Sequence, residues 1–137
     1  MTKELWLNLP VKDINRSRDF FTKIGFSFAP GPGNTPTSAP LQIGSKGVIV
    51  MLFEESLFKR FSGNELADTS KVSEVLISFD AESPAEVDEI AQKVTAAGGV
   101  IYAQPGESEG WMYACGFCDP DGHRWNPLFM DMSKMNG

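Results

Sequence analysis

Phe117-Cys118-Asp119-Pro120-Asp121-Gly122-His123-Arg124-Trp125 is the stretch from which the fold of this chain is read. Proline brings a preset φ to the early part of a turn, and glycine allows the conformation its end requires. Trp111 to Cys118 and His123 to Met130 therefore read as the two strands of a hairpin. Cys115 and Cys118 lie three apart, on opposite faces of an extended strand, which is poor geometry for a mutual disulfide. A redox Cys-x-x-Cys opens a helix, whereas Cys118 is followed by a turn, so two reduced, half-buried thiols are expected. His123, the chain's one histidine, starts a strand at an odd offset from Asn126; it is expected to be partly exposed and to face away from that side chain.

Moving upstream, Val75, Ile77 and Phe79 alternate with Glu74, Leu76 and Ser78 as in a strand. Ser83-Pro84-Ala85-Glu86 is a capping box with proline in the first turn. The apolar stripe Val87, Ile90, Ala91 and Val94 follows, and Gly98-Gly99 closes the helix. Val100 to Ala103 reads as a strand and Gln104 to Gly110 as a polar loop. The first half carries the same order. Leu5, Leu7, Leu9 and Val11 alternate with Trp6, Asn8 and Pro10; Asp13 caps a helix bearing Ile14, Phe20, Phe21 and Ile24; Gly25 ends it, and Phe26 to Ala29 is a second strand. A proline-rich loop spans 30–40, a hairpin joins Leu41–Ile43 to Val48–Phe53 through Gly44-Ser45-Lys46-Gly47, and a short amphipathic helix covers Glu55–Phe61.

Composition sets the outer limits. With 137 residues the chain is one ordinary domain's worth, large enough to bury a core without staples. Twelve Lys and Arg against 18 Asp and Glu leave a net charge of −6, which argues against general binding to nucleic acid or anionic membranes. One His and two Cys exclude His-rich and four-Cys zinc sites. The apolar run Val48 to Phe53 is far too short to span a bilayer, and Glu4 and Asn8 interrupt any leader-like stretch. A cytoplasmic protein is expected.

Both halves read strand, helix, strand, loop, strand, turn, strand. That repeat resembles the vicinal oxygen chelate superfamily of glyoxalases, extradiol dioxygenases and bleomycin-resistance proteins. Its other markers are Asn8-Leu9-Pro10-Val11-Lys12-Asp13 running into Phe20-Phe21 and Gly25-Phe26, and the Asp-Pro-Asp-Gly turn with His123-Arg124-Trp125. The resemblance implies an α+β fold of two βαβββ modules whose curved mixed sheets form a glyoxalase-like half-barrel, helices on the convex side. The domain would run 4–132, with modules at about 4–61 and 71–132 and a linker over 62–70. A homodimer is also expected.

Enzymes of that superfamily hold a divalent metal with His, Glu or Gln side chains on the module strands. The corresponding positions here carry Trp6, Met51, Glu74 and Asn126. An indole and a thioether do not ligate hard or borderline ions, an amide is a poor substitute, and only Glu74 is competent. The expectation is a degenerate metal site and no cofactor, with a divalent metal as the lesser possibility. The ligand would be a small organic molecule in the concave cavity, held by Trp6, Asn8, Met51, Phe53, Glu74, Trp111 and Asn126. An inward Glu74 would be the catalytic candidate, as a base or hydrogen-bonding group. Trp111, Met112 and Tyr113 are read as a rim, Phe58 and Phe61 as a cap or subunit contact, and loop 30–40 as a lid or a passive surface loop. The alternatives are a metal-dependent lyase or dioxygenase with an atypical ligand set, or an interaction module whose concavity has collapsed. Pro127 breaks the strand rule, and a bulge there would re-aim Asn126.

Overall fold

In a computed structural model describing residues 1–134, the chain divides into two compact units, Met1–Asp68 and Thr69–Gly137. The first contains β1 (Trp6–Val11), α1 (Ile14–Lys23), β2 (Ser27–Phe28), β3 (Ser38–Ile43), β4 (Val48–Glu54) and α2 (Glu55–Ser62). The second contains β5 (Leu76–Asp80), α3 (Pro84–Ala96), β6 (Val100–Ser108), β7 (Met112–Cys118) and β8 (Arg124–Met130), then a short 3-10 turn over Met132–Lys134. The sheets run β1-β4-β3-β2 and β5-β8-β7-β6, so the two units share one topology. In each, the first strand pairs in parallel with the last and the remaining pairs are antiparallel. This is the α+β arrangement the repeat implied.

The first unit is organised by capping and by one buried sheet face. Asp13 accepts hydrogen bonds from the Asn15 and Arg16 amides, satisfying donors that open α1. At the other end Phe26 N–H reaches the Phe21 carbonyl and Gly25 N–H that of Thr22, with Gly25 at φ 108. That paired closure needs a left-handed residue, which is why glycine stands there. Ile14, Phe20, Phe21 and Ile24 are buried beside Leu9, Val11, Leu41, Val50 and Leu52. The face read as uniformly helix-packed is so only in its second half, since Leu5 lies before the strand and Leu7 is exposed.

β3 begins three residues earlier than expected and takes in Pro40, opposite Met51. The Pro40 carbonyl accepts from Ala29 at 2.9 Å, so its backbone polar groups point toward β2. The missing donor falls where that two-residue strand has already ended, and the β3–β4 ladder is undisturbed.

In the second unit Ser83 caps α3 by accepting from the Glu86 amide at 3.1 Å. Val87, Ala91 and Val94 pack toward a sheet face built from Ile77, Cys115, Phe117, Trp125 and Pro127. The rings of Phe117 and Trp125 stack at 6.2 Å with 4° between planes. β5 starts at Leu76, so Glu74 precedes it on a bend instead of opening it. β6 runs to Ser108 and absorbs most of the stretch read as loop 104–110, leaving a tight turn through Glu109 and Gly110. Of two register shifts in β6, one falls at Tyr102 and the other at Gln104-Pro105, on an outer strand where a bulge costs little pairing.

Candidate functional site

On β1 and β4 the parallel register sets Trp6 opposite Ile49, Asn8 opposite Met51 and Pro10 opposite Phe53. Alternation places these on the face away from the buried Leu9, Val11, Val50 and Leu52. α2 lies over this face, against β1 and β4, and has no fully buried residue. Asn8, Phe53, Phe58, Phe61 and Ser62 line an open cavity of about 350 Å³, with the Phe53 and Phe61 rings edge-to-face at 5.2 Å. Asn8 and Phe53 are thus brought together, and Phe58 and Phe61 form the cavity's helical wall.

Met51 is covered differently. A Cβ at Gly33 would stand 3.5 Å from its methyl, so the proline-rich loop rests on this side chain. The loop is tied to α1: Arg18 Nη2 donates to Asn34 Oδ1 at 2.6 Å and to the Thr35 and Ser38 carbonyls at 2.8 and 2.9 Å. Trp6, on the outer strand, is 57% exposed.

The matching face of the second unit carries Leu76 and Ser78 on β5, Arg124 and Asn126 on β8, and Ala114, Gly116 and Cys118 on β7. Tyr102, Gln104, Ser108, Gly116 and Asn126 line a cavity of about 280 Å³ there. The Tyr102 ring occupies the space where any side chain at Gly116 would stand, and the Arg124 guanidinium lies over the same ring, its Cζ 4.2 Å from the centroid. None of Tyr102, Gly116 and Arg124 was among the expected site residues. The available signal was Gly116 itself, since a glycine inside a strand marks a close approach.

No register shift forms at Pro127, whose effect on the strand the sequence left open. The β7–β8 register is continuous from Met112↔Met130 to Cys118↔Arg124, and Asn126 keeps its place on the cavity face. Its Nδ2 donates to the Cys115 carbonyl at 2.8 Å and its Oδ1 accepts from Ser78 at 3.2 Å.

Glu74 is exposed and Trp111 lies elsewhere. With Tyr113, Phe129 and Asp131, Trp111 lines a smaller hollow of about 130 Å³, where Tyr113 donates to Asp88 of α3 at 2.7 Å. That bond raises the Tyr113 phenol above its ordinary value, because its acceptor is a carboxylate.

His123 is buried, at 5% exposure, contrary to the expected partial exposure. The Asp-Pro-Asp-Gly turn curls back, with Gly122 N–H on the Asp119 carbonyl and Asp119 N–H on that of His123. Asp119 is buried at its centre; Oδ1 accepts from the Asp121 and His123 amides at 2.9 and 3.1 Å, and Oδ2 from Trp125 Nε1 at 3.0 Å. Burial pushes its carboxyl upward against the opposing pull of His123 and these donors. Cys115 is buried and Cys118 half-buried, both free; burial raises both thiols, Cys115 to about 11.

The model for "Bleomycin resistance protein-like N-terminal" matches residues 3–35. A solved structure of a hypothetical protein, SA1046, from S. aureus is 33% identical and superposes with a TM-score of 0.83, covering 94% of each chain. The chain has the glyoxalase-like fold. Two further solved structures share its fold at lower identity. A glyoxalase-related enzyme from Fulvimarina pelagi is 18% identical, with a TM-score of 0.79 over 94% of this chain and 88% of its own. A glyoxalase/bleomycin resistance protein/dioxygenase family enzyme from Burkholderia phytofirmans PsJN is 17% identical, with a TM-score of 0.77 over 91% and 96%. No curated protein sequence matches.

The metal that vicinal oxygen chelate enzymes carry does not suit the residues at the corresponding positions. Met51 is a thioether lying under Gly33, Trp6 has no ligand atom, and both ends of the Asn126 amide are already hydrogen-bonded. Among the described residues no three His, Cys, Asp or Glu side chains converge on a point.

Proposed function

We propose that the protein binds a small, partly apolar organic molecule on a concave sheet face, without metal chemistry. The observation that carries this reading is the first unit's cavity, in which three phenylalanines face one amide. Small-molecule sites combine a mostly apolar wall with a few polar groups that set orientation. Phe53, Phe58 and Phe61 supply flat contact area, and the Asn8 amide both donates and accepts. Three of the four sequence positions that the resemblance assigns to metal ligands hold Trp6, Met51 and Asn126, which favours binding over the alternative of a metal-dependent lyase or dioxygenase. We place this activity in the cytoplasm, consistent with two free thiols.

Fluorescence titration with N-phenylnaphthylamine, a neutral aromatic dye, tests the cavity. Saturable enhancement by the wild type that is lost in Phe58→Ser and Phe61→Ser, both still folded by circular dichroism, is expected. No enhancement by the wild type would overturn the reading. Elemental analysis of protein purified without a metal-affinity tag separates the alternative, which requires stoichiometric Fe, Mn, Ni or Zn.

A further inference from the structure

On the cavity face of the second unit, Arg124 is an unpaired cation in a preset orientation. Its register neighbours are Leu76 on β5 and Cys118 on β7, and no carboxylate among the described residues forms an ion pair with it. Its guanidinium lies over the Tyr102 ring. The ring in turn occupies the gap left by Gly116, which no other residue type would leave open. The guanidinium also hydrogen-bonds the Tyr102 side chain, and with five N–H donors it keeps others for a ligand. A long side chain that would otherwise sample many rotamers is thereby restrained before any ligand arrives.

We infer that Arg124, seated on Tyr102 and Gly116, is a recognition site for a carboxylate on a small organic molecule. A planar donor edge matches a carboxylate bidentately, and the bond is charge-assisted at both ends. The half-buried hollow beside it, lined by Tyr102, Gln104, Ser108 and Asn126, has room and polar groups for the rest of such a molecule, while exposed Leu76 offers an apolar flank.

The chain's net charge of −6 points the other way, toward a basic ligand. That charge is spread over the surface and screened beyond about 8 Å at physiological ionic strength. A direct guanidinium contact is not screened to that degree, so the local cation decides the sign of the ligand group it meets. The site lies in a different unit from the phenylalanine cavity and stands or falls separately from it.

Benzoate and benzamide share a ring and differ in charge, which makes them the probes. In NMR titrations of the full chain, benzoate is expected to shift the Gly116 amide and the Arg124 Nε–H saturably, with benzamide much weaker. Arg124→Gln should weaken benzoate binding at least about tenfold, as loss of a charge-assisted bidentate contact does. Gly116→Ala keeps the charge but displaces the ring, and should also weaken benzoate. Equal binding of the two probes by the wild type, or no saturable benzoate shift, would overturn the inference without reference to any variant. So would an Arg124→Gln protein of native spectrum that binds benzoate as the wild type does.

Discussion

The side-chain amide of Asn126 donates to the Cys115 carbonyl at 2.8 Å, serving the acceptor that its neighbour Pro127 cannot. Just beyond the two ends of the β7–β8 pair, Asp119 N–H donates to the His123 carbonyl and Asp131 N–H to the Trp111 carbonyl. Alternation along an antiparallel ladder makes Cys115–Pro127 a position of the same kind. Proline has no N–H, and a buried carbonyl left alone there would carry a desolvation cost. Asn126 fills the gap from the next residue, and the strand keeps its register.

A double-mutant cycle tests this substitution of donors. Asn126→Ala should destabilise by about 1–3 kcal/mol, the cost of an unsatisfied buried acceptor. Pro127→Ala restores a backbone N–H to that acceptor, so adding it should reduce the Asn126→Ala penalty. Urea midpoints of the four proteins give the coupling, and strict additivity would refute the account.

Asp119 should be the most sensitive polar residue of the second unit. It holds the Asp121 and His123 amides and the Trp125 indole, and Asp119→Ala leaves all three donors without their acceptor at once. A loss of about 3 kcal/mol or more is expected, since each buried donor left alone costs about 1–3 kcal/mol. Asp119→Asn keeps an oxygen for the two amides and should cost less. Denaturation followed by tryptophan fluorescence reports both, and an Ala variant within about 1 kcal/mol of wild type would contradict the role, being no worse than an average substitution.

Alternation and capping made most of this fold readable. Asp13, Gly25 and Ser83 act as helix caps where expected, and Asn8, Met51 and Asn126 fall on the faces assigned to them. These are local signals, carried by residues within a turn or a strand of one another. What escaped depends on partners distant in sequence. Tyr102 and Arg124 meet over Gly116 only after three strands pair, and Asp119 became a buried anchor only once the turn folded back onto it. Glu74 missed its strand because polar and apolar residues alternate past the point where β8 offers a partner, Leu76↔Arg124 being the first pair. Pro127 misled because proline marks a missing donor but not which side chain replaces it.

A homodimer is the expected solution state. β1 is the outer strand of its sheet, with β4 as its neighbour there, yet Leu5, Trp6 and Leu7 are 75%, 57% and 37% exposed. An outer strand with apolar side chains in water is a template for association unless something covers it. We expect a second copy to do so, by a symmetric contact. Sedimentation velocity at micromolar concentration should show a dimer, and Trp6→Lys should shift it toward monomer. A wild-type monomer would rule this out.

Stability should fall in alkali through Cys115. Burial, with a smaller contribution from Asp88, raises its thiol from an ordinary 9.0 to about 11 in the folded chain. Between those values the folded state keeps a proton that the unfolded chain has released, so the unfolded state is favoured as pH rises. The thiol's contribution is fully present below pH 9 and is lost on the way to about 11, at up to about 1.4 kcal/mol per pH unit. Cys115→Ala removes the titrating group and leaves the other alkaline titrations in place. Its stability relative to wild type should therefore improve steadily from about pH 9 to about pH 11, the window set by the shifted thiol. A gap between the two proteins that stays constant across that range would show that Cys115 does not titrate differently on folding.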